Sequence, residues 1–341
     1  MAAARDITTR VGDRTLTLTN LDKVLYPSVG FTKAEVIDYY ARIAPVMLPH
    51  IRDRVMTRLR FPDGVGADRF SFYEKNAPMG TPDWVRRVNV NTSDGIIDYV
   101  VADDEPAIVW LANLAALEMH VPQWTVGSAK LVDNIISLPE LRPRSGEPLA
   151  DRVVVDLDPG AGMTIVESAR AALIVAAKLA EDGMIPIAQT SGSKGIQVYA
   201  AIAPTRSKTA WSYVKQLNAS LHKAQPDFFV STMSVDQRAG RIYVDYNQNL
   251  AARNTIAPYS MRGRERPAVA TPVTWEELGS VRGPDDLRFA PDEVLARVDE
   301  FGDLARDLLT SDAPPLPDKA EIAQEPRALI SRCGQCGKPH R

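Results

Sequence analysis

The run Val153-Val154-Val155-Asp156-Leu157-Asp158-Pro159-Gly160 ends an apolar stretch in two acids. In a strand, successive side chains face opposite sides, so Asp156 and Asp158 share one side and Leu157 takes the other. Two carboxylates this close repel each other unless a cation lies between them. Hard divalent ions take such oxygen ligands. Pro159-Gly160 ends the strand at once and leaves the pair at a sheet edge that a ligand can reach. A third acid, Asp245, lies in the apolar run Arg241-Ile242-Tyr243-Val244-Asp245-Tyr246, where an unpaired carboxylate is costly. A metal shared with Asp156 and Asp158 accounts for it. Three carboxylates on adjacent strands can hold two cations about 3.5–4 Å apart, one lowering the pKa of an attacking hydroxyl, the other neutralising a triphosphate and its leaving group.

The segment Thr190-Ser191-Gly192-Ser193-Lys194-Gly195 has the glycines that let backbone N–H groups approach an anion, with Lys194 as a point charge. It differs from a Walker A loop in spacing, and a strand rather than a helix follows it. Alone it reads equally as a hairpin turn; beside three acids it reads as a triphosphate cradle. Arg238, Arg241, Arg253, Arg262, Arg264 and Arg266 crowd the sequence around Asp245. Any one of them is an ordinary surface residue, but as a group they suit a polyphosphate or a nucleic-acid strand.

The elements that must position these groups follow from local patterns. Arg10-Val11-Gly12-Asp13-Arg14 reads as a hairpin turn. Thr32-x-x-Glu35 is a capping box, opening a helix that Pro45 and Pro49 are expected to kink or end early. Arg54 to Arg60 alternates as a strand, with Arg54, Arg58 and Arg60 on one face that needs water or phosphate. Ile96 to Ala102 reads as a strand, and Glu105 to Met119 as an apolar helix that leaves His120 at its end. Leu138 to Ala150, with three prolines and a glycine, reads as a connection. Beyond it come the strand Arg152–Asp158, a helix capped by Thr164-x-x-Glu167 and stopped by Gly183, strands at Ile185–Thr190 and Ile196–Ile202, a helix capped by Ser207, and a strand at Arg241–Tyr246. This order predicts an α/β fold with mixed sheets.

The chain has 341 residues, 45% of them hydrophobic and 24% charged, an ordinary globular composition. No apolar run is long enough for a membrane span and the first ten residues lack a signal-peptide core; a cytoplasmic, nucleoid-associated protein is expected. A net charge of −3 counts mildly against a nucleic-acid binder, yet phosphate contacts need only local positive charge. The two cysteines, Cys333 and Cys336, precede His340 near the C-terminus. They read as incidental thiols in a polar tail, with zinc binding by the three as the alternative.

Taken together, the Asp156–Gly160, Thr190–Gly195 and Val244–Asn249 motifs resemble the polymerase domain of bacterial DNA ligase D, a branch of the archaeo-eukaryotic primase superfamily. Thr19 to Pro27, Phe72 to Asn76, and Leu117-Glu118-Met119-His120 add to the likeness, which covers roughly residues 10 to 300. The resemblance implies a primase-like catalytic core with an RRM-like module and flanking helices. It gives a disordered stretch over residues 1–10 and a primase-polymerase domain over 11–300. Within that domain it implies an N-terminal lobe at about 11–145, a catalytic lobe at about 150–270 and a helical closing segment at about 271–312, with a tail over 313–341.

The same resemblance assigns roles. Asp156, Asp158 and Asp245 bind two metal ions, manganese or magnesium. His120, Ser191, Lys194, Arg238, Gln248 and Arg262 contact the incoming nucleoside triphosphate. Asn20, Lys23 and Lys33 hold a 5′-phosphate across a gap, and Phe72, with Tyr73 beside it, stacks on the DNA template. The implied activity is addition of nucleotides, preferably ribonucleotides, to primer 3′ ends at short gaps or broken DNA ends, with Ku and a separate DNA ligase as partners. Gln197 departs from the family, where histidine is common; glutamine hydrogen-bonds but carries no charge, which bears on nucleotide preference. No ligase or nuclease module fits in 341 residues, so a stand-alone polymerase is expected. Two other readings compete: a phosphatase with Asp156 as nucleophile, which leaves Asp245 without a role, and a non-catalytic DNA-end-binding module, which needs no converging acids.

Overall fold

The computed structural model describes residues 6–139, 146–232 and 234–317. The Cys333, Cys336 and His340 reading lies outside them. Two mixed sheets, each backed by helices, organise the chain, as expected for an α/β protein.

The first sheet runs in the order Ile135–Ser137, Arg87–Thr92, Gly95–Val101, Val55–Arg60, Ala116–Val121, Thr255–Ile256, with Phe72–Glu74 also paired to Val55–Arg60. Its core packs against the helix Lys33–Ile51, whose Val36, Tyr40, Ile43, Ala44 and Met47 form one buried face. The Thr32/Glu35 capping box is present. Pro45 and Pro49 do not end this helix; it runs through both to Ile51. The missing N–H groups deprive two carbonyls of partners, but the buried face keeps the segment helical to Ile51.

Glu105 to Met119 is not one helix. The helix stops at Asn113, Ala115 takes a left-handed φ of 56°, and Ala116–Val121 is a strand buried on both faces. A strand covered on both sides shows no alternation and reads like a buried helix. His120 therefore stands in mid-sheet. The face carrying Arg54, Arg58 and Arg60 is not solvated either. Arg58 is fully buried and pairs with Glu74 at 3.1 Å, while Arg54 pairs with Asp151. Ile7–Val11, part of the stretch expected to be disordered, forms a hairpin with Arg14–Leu18.

The second sheet runs Phe229–Val230, Ile242–Val244, Leu149–Pro159, Ile196–Arg206, Pro186–Thr190, Pro272–Val273. Val153, Val155 and Leu157 face the helices Ile165–Glu181 and Ser207–Ala224 in one apolar core. Alternation then turns Val154, Asp156 and Asp158 to the opposite side. The Thr164/Glu167 box caps the first of these helices. Ser207 does not cap the second: Arg206 holds the cap position, and the Ser207 hydroxyl is buried without a partner.

The chain crosses between the sheets more than once. After Asn249 it returns to the first sheet at Thr255–Ile256, and Pro272–Val273 then joins the second. Val294 and Leu295 of the helix Pro291–Phe301 pack into the first core. Residues of both sheets, Thr57 and His120 from the first and Asp156, Asp158 and Gln197 from the region of the second, line one cleft. No helix among the described residues is long and apolar enough to cross a membrane.

Candidate active site

Asp156 sits opposite Gln197 in the antiparallel ladder and Asp158 opposite Tyr243. The strand Ile242–Val244 ends one residue before Asp245, whose N–H donates to the Asp156 carbonyl at 2.9 Å. Asp245 thus stands just past its strand, not within it. The three carboxylates offer oxygens that all lie within 4.8 Å of one another. Among the described residues this is the one group of three acids, histidines or cysteines close enough to share an ion.

The electrostatics match that geometry. Burial, then the charge of Asp158, pushes the Asp156 carboxyl up to about 8, against a hydrogen bond from Gln197 that favours the ionised form. Burial and the Asp245 charge raise Asp158 as well, opposed by Arg238 and Lys194. Carboxylates forced together in this way, with oxygen the sole donor type, fit a hard divalent cation.

Asp245 is held by the 3-10 turn that follows it, Tyr246–Asn249. Asn247 N–H donates to Asp245 Oδ1 at 3.1 Å and Gln248 Nε2 to Oδ2 at 2.8 Å. Gln248, expected on the nucleotide, lines the cleft but spends one amide hydrogen on Asp245. Asn249 is buried and bonds both peptide groups of Val154, accepting from its N–H at 2.9 Å and donating to its carbonyl at 2.8 Å. It replaces a rung of backbone ladder two residues before Asp156.

The cavity above the acids has a volume of about 450 Å³. Asp156, Asp158, Ser191, Gln248, His120 and Arg262 line it, with Tyr73, Lys75, Gln197 and Arg264. The turn bearing Ser191 closes through Ser191 N–H to the Gly195 carbonyl at 2.9 Å, and Ser168 anchors the Lys194 carbonyl at 2.7 Å. Gly192 has φ +70°, and a Cβ there would lie 2.5 Å from Arg262 Cγ, so this turn must be glycine to meet the arginine. The Arg238 guanidinium lies 3.9 Å from the centre of the Tyr243 ring. Its carbonyl comes so near Gly160 that a Cβ there would sit 1.7 Å away.

Glu118 is the residue that sequence reasoning missed. Buried between His120 and Arg262, its Oε2 takes His120 Nε2 at 3.0 Å and Arg262 at 3.2 Å, while Oε1 accepts Gly263 N–H at 3.0 Å. Burial would raise this carboxyl, but the His120 hydrogen bond and the Arg262 charge hold it below its usual range. Its spacing of two from His120 is the available signal, legible only once that segment is read as a strand.

Asn20, Lys23 and Lys33 do not line the cleft; they cluster at the start of the helix Lys33–Ile51. Lys23 pairs with Asp63 at 3.2 Å. Lys33 is 5% exposed, with Nζ donating to the Thr19 carbonyl at 2.6 Å. Burial, then the Lys23 charge, lowers it to about 8. Asn20 takes a left-handed φ of 53°. Phe72 and Tyr73 do not stand side by side. Tyr73 lies in the cleft with its ring 5.9 Å from that of His120, whereas Phe72 turns away to Phe70 and Arg60.

Comparison with known proteins agrees with this architecture. The family model described as the LigD primase-polymerase domain matches residues 32–305. The chain is 41% identical over 306 residues to the multifunctional non-homologous end joining DNA repair protein LigD of Mycobacterium tuberculosis, covering 89% of this chain and 38% of that protein. It is 29% identical over 290 residues to the bifunctional non-homologous end joining protein LigD of Bacillus subtilis, covering 84% of this chain and 43% of that one. The chain thus spans less than half the length of these relatives. The solved polymerase domain from Mycobacterium tuberculosis Ligase D, in complex with DNA, matches with a TM-score of 0.77 and 41% identity, over 88% of this chain and 99% of that one. The chain belongs to the LigD primase-polymerase domain family, a family of nucleotidyltransferases.

Proposed function

We propose that the protein extends primer 3′ ends at short gaps or broken DNA ends, preferring ribonucleotides, as part of DNA end repair in the cytoplasm. The observation that carries this reading is the convergence of Asp156, Asp158 and Asp245 on one point of a cleft lined by Ser191, His120, Arg262 and Arg264. A passive end binder has no use for three converging acids, and the family match over residues 32–305 is to a primase-polymerase domain rather than a phosphatase.

Asp156, Asp158 and Asp245 would hold two divalent ions, manganese or magnesium. Bound there, the ions supply Lewis acidity to the primer hydroxyl and charge neutralisation to the triphosphate. The residues of the chain do the rest. Lys194, Arg238 and Arg262 stabilise the triphosphate as the bond from O3′ to the α-phosphorus forms and the bond to pyrophosphate breaks. Ser191 and its turn orient the phosphates, His120 faces the nucleotide, and Gln248 and Asn249 keep Asp245 in place. Asn20, Lys23 and Lys33 receive a 5′-phosphate at the far side of the gap. A Ku protein and a DNA ligase would act on the same ends.

The test is extension of a labelled primer across a short gap, with and without a 5′-phosphate, comparing ribonucleotides with deoxynucleotides in manganese. Metal-dependent addition that favours ribonucleotides and the 5′-phosphate is expected. Retained DNA binding with no addition under any metal or nucleotide would replace this reading with an end-binding module.

A further inference from the structure

Phe70 is 62% exposed. Its ring stacks on that of Phe72, with centroids 5.1 Å apart and planes 27° apart. Phe72 itself is half-buried. Arg60 lies 5.4 Å from the Phe72 ring and is fixed by Glu74 at 3.0 Å and the Leu114 carbonyl at 2.9 Å. The result is a rigid stack with Phe70 as its outer member. One face of Phe72 is already spent on another ring.

The loop that carries Phe70 is tied to the region of Lys23. Asp63 pairs with Lys23 at 3.2 Å, the Arg69 guanidinium bonds the Asp63 carbonyl, and Val65 N–H donates to the Leu25 carbonyl at 2.7 Å. Gly64, at φ +82°, lets the loop pass so close to Leu25 that a Cβ would lie 2.7 Å from its carbonyl oxygen. The exposed ring thus follows Arg69 in a loop that Asp63 ties to Lys23, and Arg60 lies over the Phe72 ring that supports it. Aromatic faces interleaved with cations are how proteins hold unpaired nucleic-acid strands, the bases stacking and the charges tracking phosphates. A protein partner would call for an apolar surround, whereas the loop and strand around this ring are charged, with Asp63, Asp68, Arg69 and Glu74 in them.

We propose that Phe70 is a base-stacking residue, taking an unpaired nucleobase of the gapped strand next to the Lys23 and Lys33 phosphate site. This rests on the DNA-gap reading above. It differs from the template role expected of Phe72, whose ring serves here as the support.

A double-mutant cycle between protein and DNA tests it, without nucleotide or metal, so that catalysis does not enter. Affinity is measured for a gapped duplex whose unpaired template positions carry either bases or abasic sites, with wild-type protein and with Phe70→Ala, Phe70→Leu and Phe70→Trp. Wild type and Phe70→Trp are expected to prefer the base-containing gap by about fivefold or more, the scale of one stacked base. Phe70→Ala and Phe70→Leu are expected to bind both DNAs equally. Leucine keeps the apolar volume and removes the aromatic face, which separates stacking from packing. A preference for bases that survives in Phe70→Ala, or an equal loss on both DNAs, would overturn the proposal and is the outcome for a ring that docks protein. Wild-type protein that fails to bind gapped DNA at all would overturn the gap reading, and this subsite with it.

Discussion

Phe72 and Tyr73 are chain neighbours on opposite faces of one strand: Tyr73 stands over His120 in the cleft, and Phe72 stacks with Phe70 outside it. Strand alternation alone requires this, and under the proposed function it sets Tyr73 toward the nucleotide and Phe72 toward DNA. Tyr73→Ala is expected to raise the KM for nucleoside triphosphate by about tenfold while leaving affinity for gapped DNA near wild type, the scale of one lost stacking contact. Phe72→Ala is expected to do the reverse. Steady-state kinetics and DNA titration on both variants read the split; identical profiles would contradict it.

Glu118 is the single carboxylate between His120 and Arg262. Removing it takes the ion-pair partner from the buried Arg262 guanidinium, at a cost of about 3–5 kcal/mol in stability. Glu118→Ala should therefore melt markedly lower than wild type. Glu118→Gln, which keeps an acceptor, should fold and show a raised nucleotide KM. A melting temperature of Glu118→Ala equal to wild type would remove Glu118 from the account.

Asn249 sets the spacing between Asp245 and the other two acids through its paired bonds to Val154. Groups that hold ligands in place are worth about 10–100-fold in metal affinity or activity. Asn249→Leu is expected to raise the manganese concentration needed for half-maximal extension by that factor. Titration of extension against metal checks it; a loss of rate with no change in metal requirement would contradict the positioning role.

The acid pair was legible because a single strand carries both carboxylates, so alternation sufficed. The capping boxes at Thr32 and Thr164 were legible because their hydrogen bonds are local. What escaped was set by distant contacts. Ala116–Val121 is covered on both faces, which erased its alternation and misplaced His120. Arg58 looked solvated because its partner Glu74 lies on another strand. The helix Lys33–Ile51 outlasts Pro45 and Pro49 because of its packed face. The roles of Asn249 and Glu118 depend on Val154 and Arg262, far along the chain.

The raised Asp156 carboxyl gives a pH signature. Its folded pKa, about 8, lies above its unfolded value. The folded state therefore holds the proton more tightly, and that contribution is complete below the unfolded pKa and lost as pH rises through about 8. Metal-free protein should lose stability from about pH 4 to pH 8 through this group, and Asp156→Asn should flatten that slope. A cation competes with the proton, so magnesium should raise the melting temperature more at pH 8 than at pH 6. Equal stabilisation at both pH values would contradict the assignment.

The most direct test of the central claim is single-nucleotide extension across a 5′-phosphorylated gap by wild type and Asp158→Ala, measured beside DNA affinity. The account predicts that Asp158→Ala loses extension by about a thousandfold or more, a barrier increase of roughly 4 kcal/mol, while it binds the gapped DNA as well as wild type. Extension by Asp158→Ala at a rate near wild type would contradict the claim that these three acids are the catalytic centre.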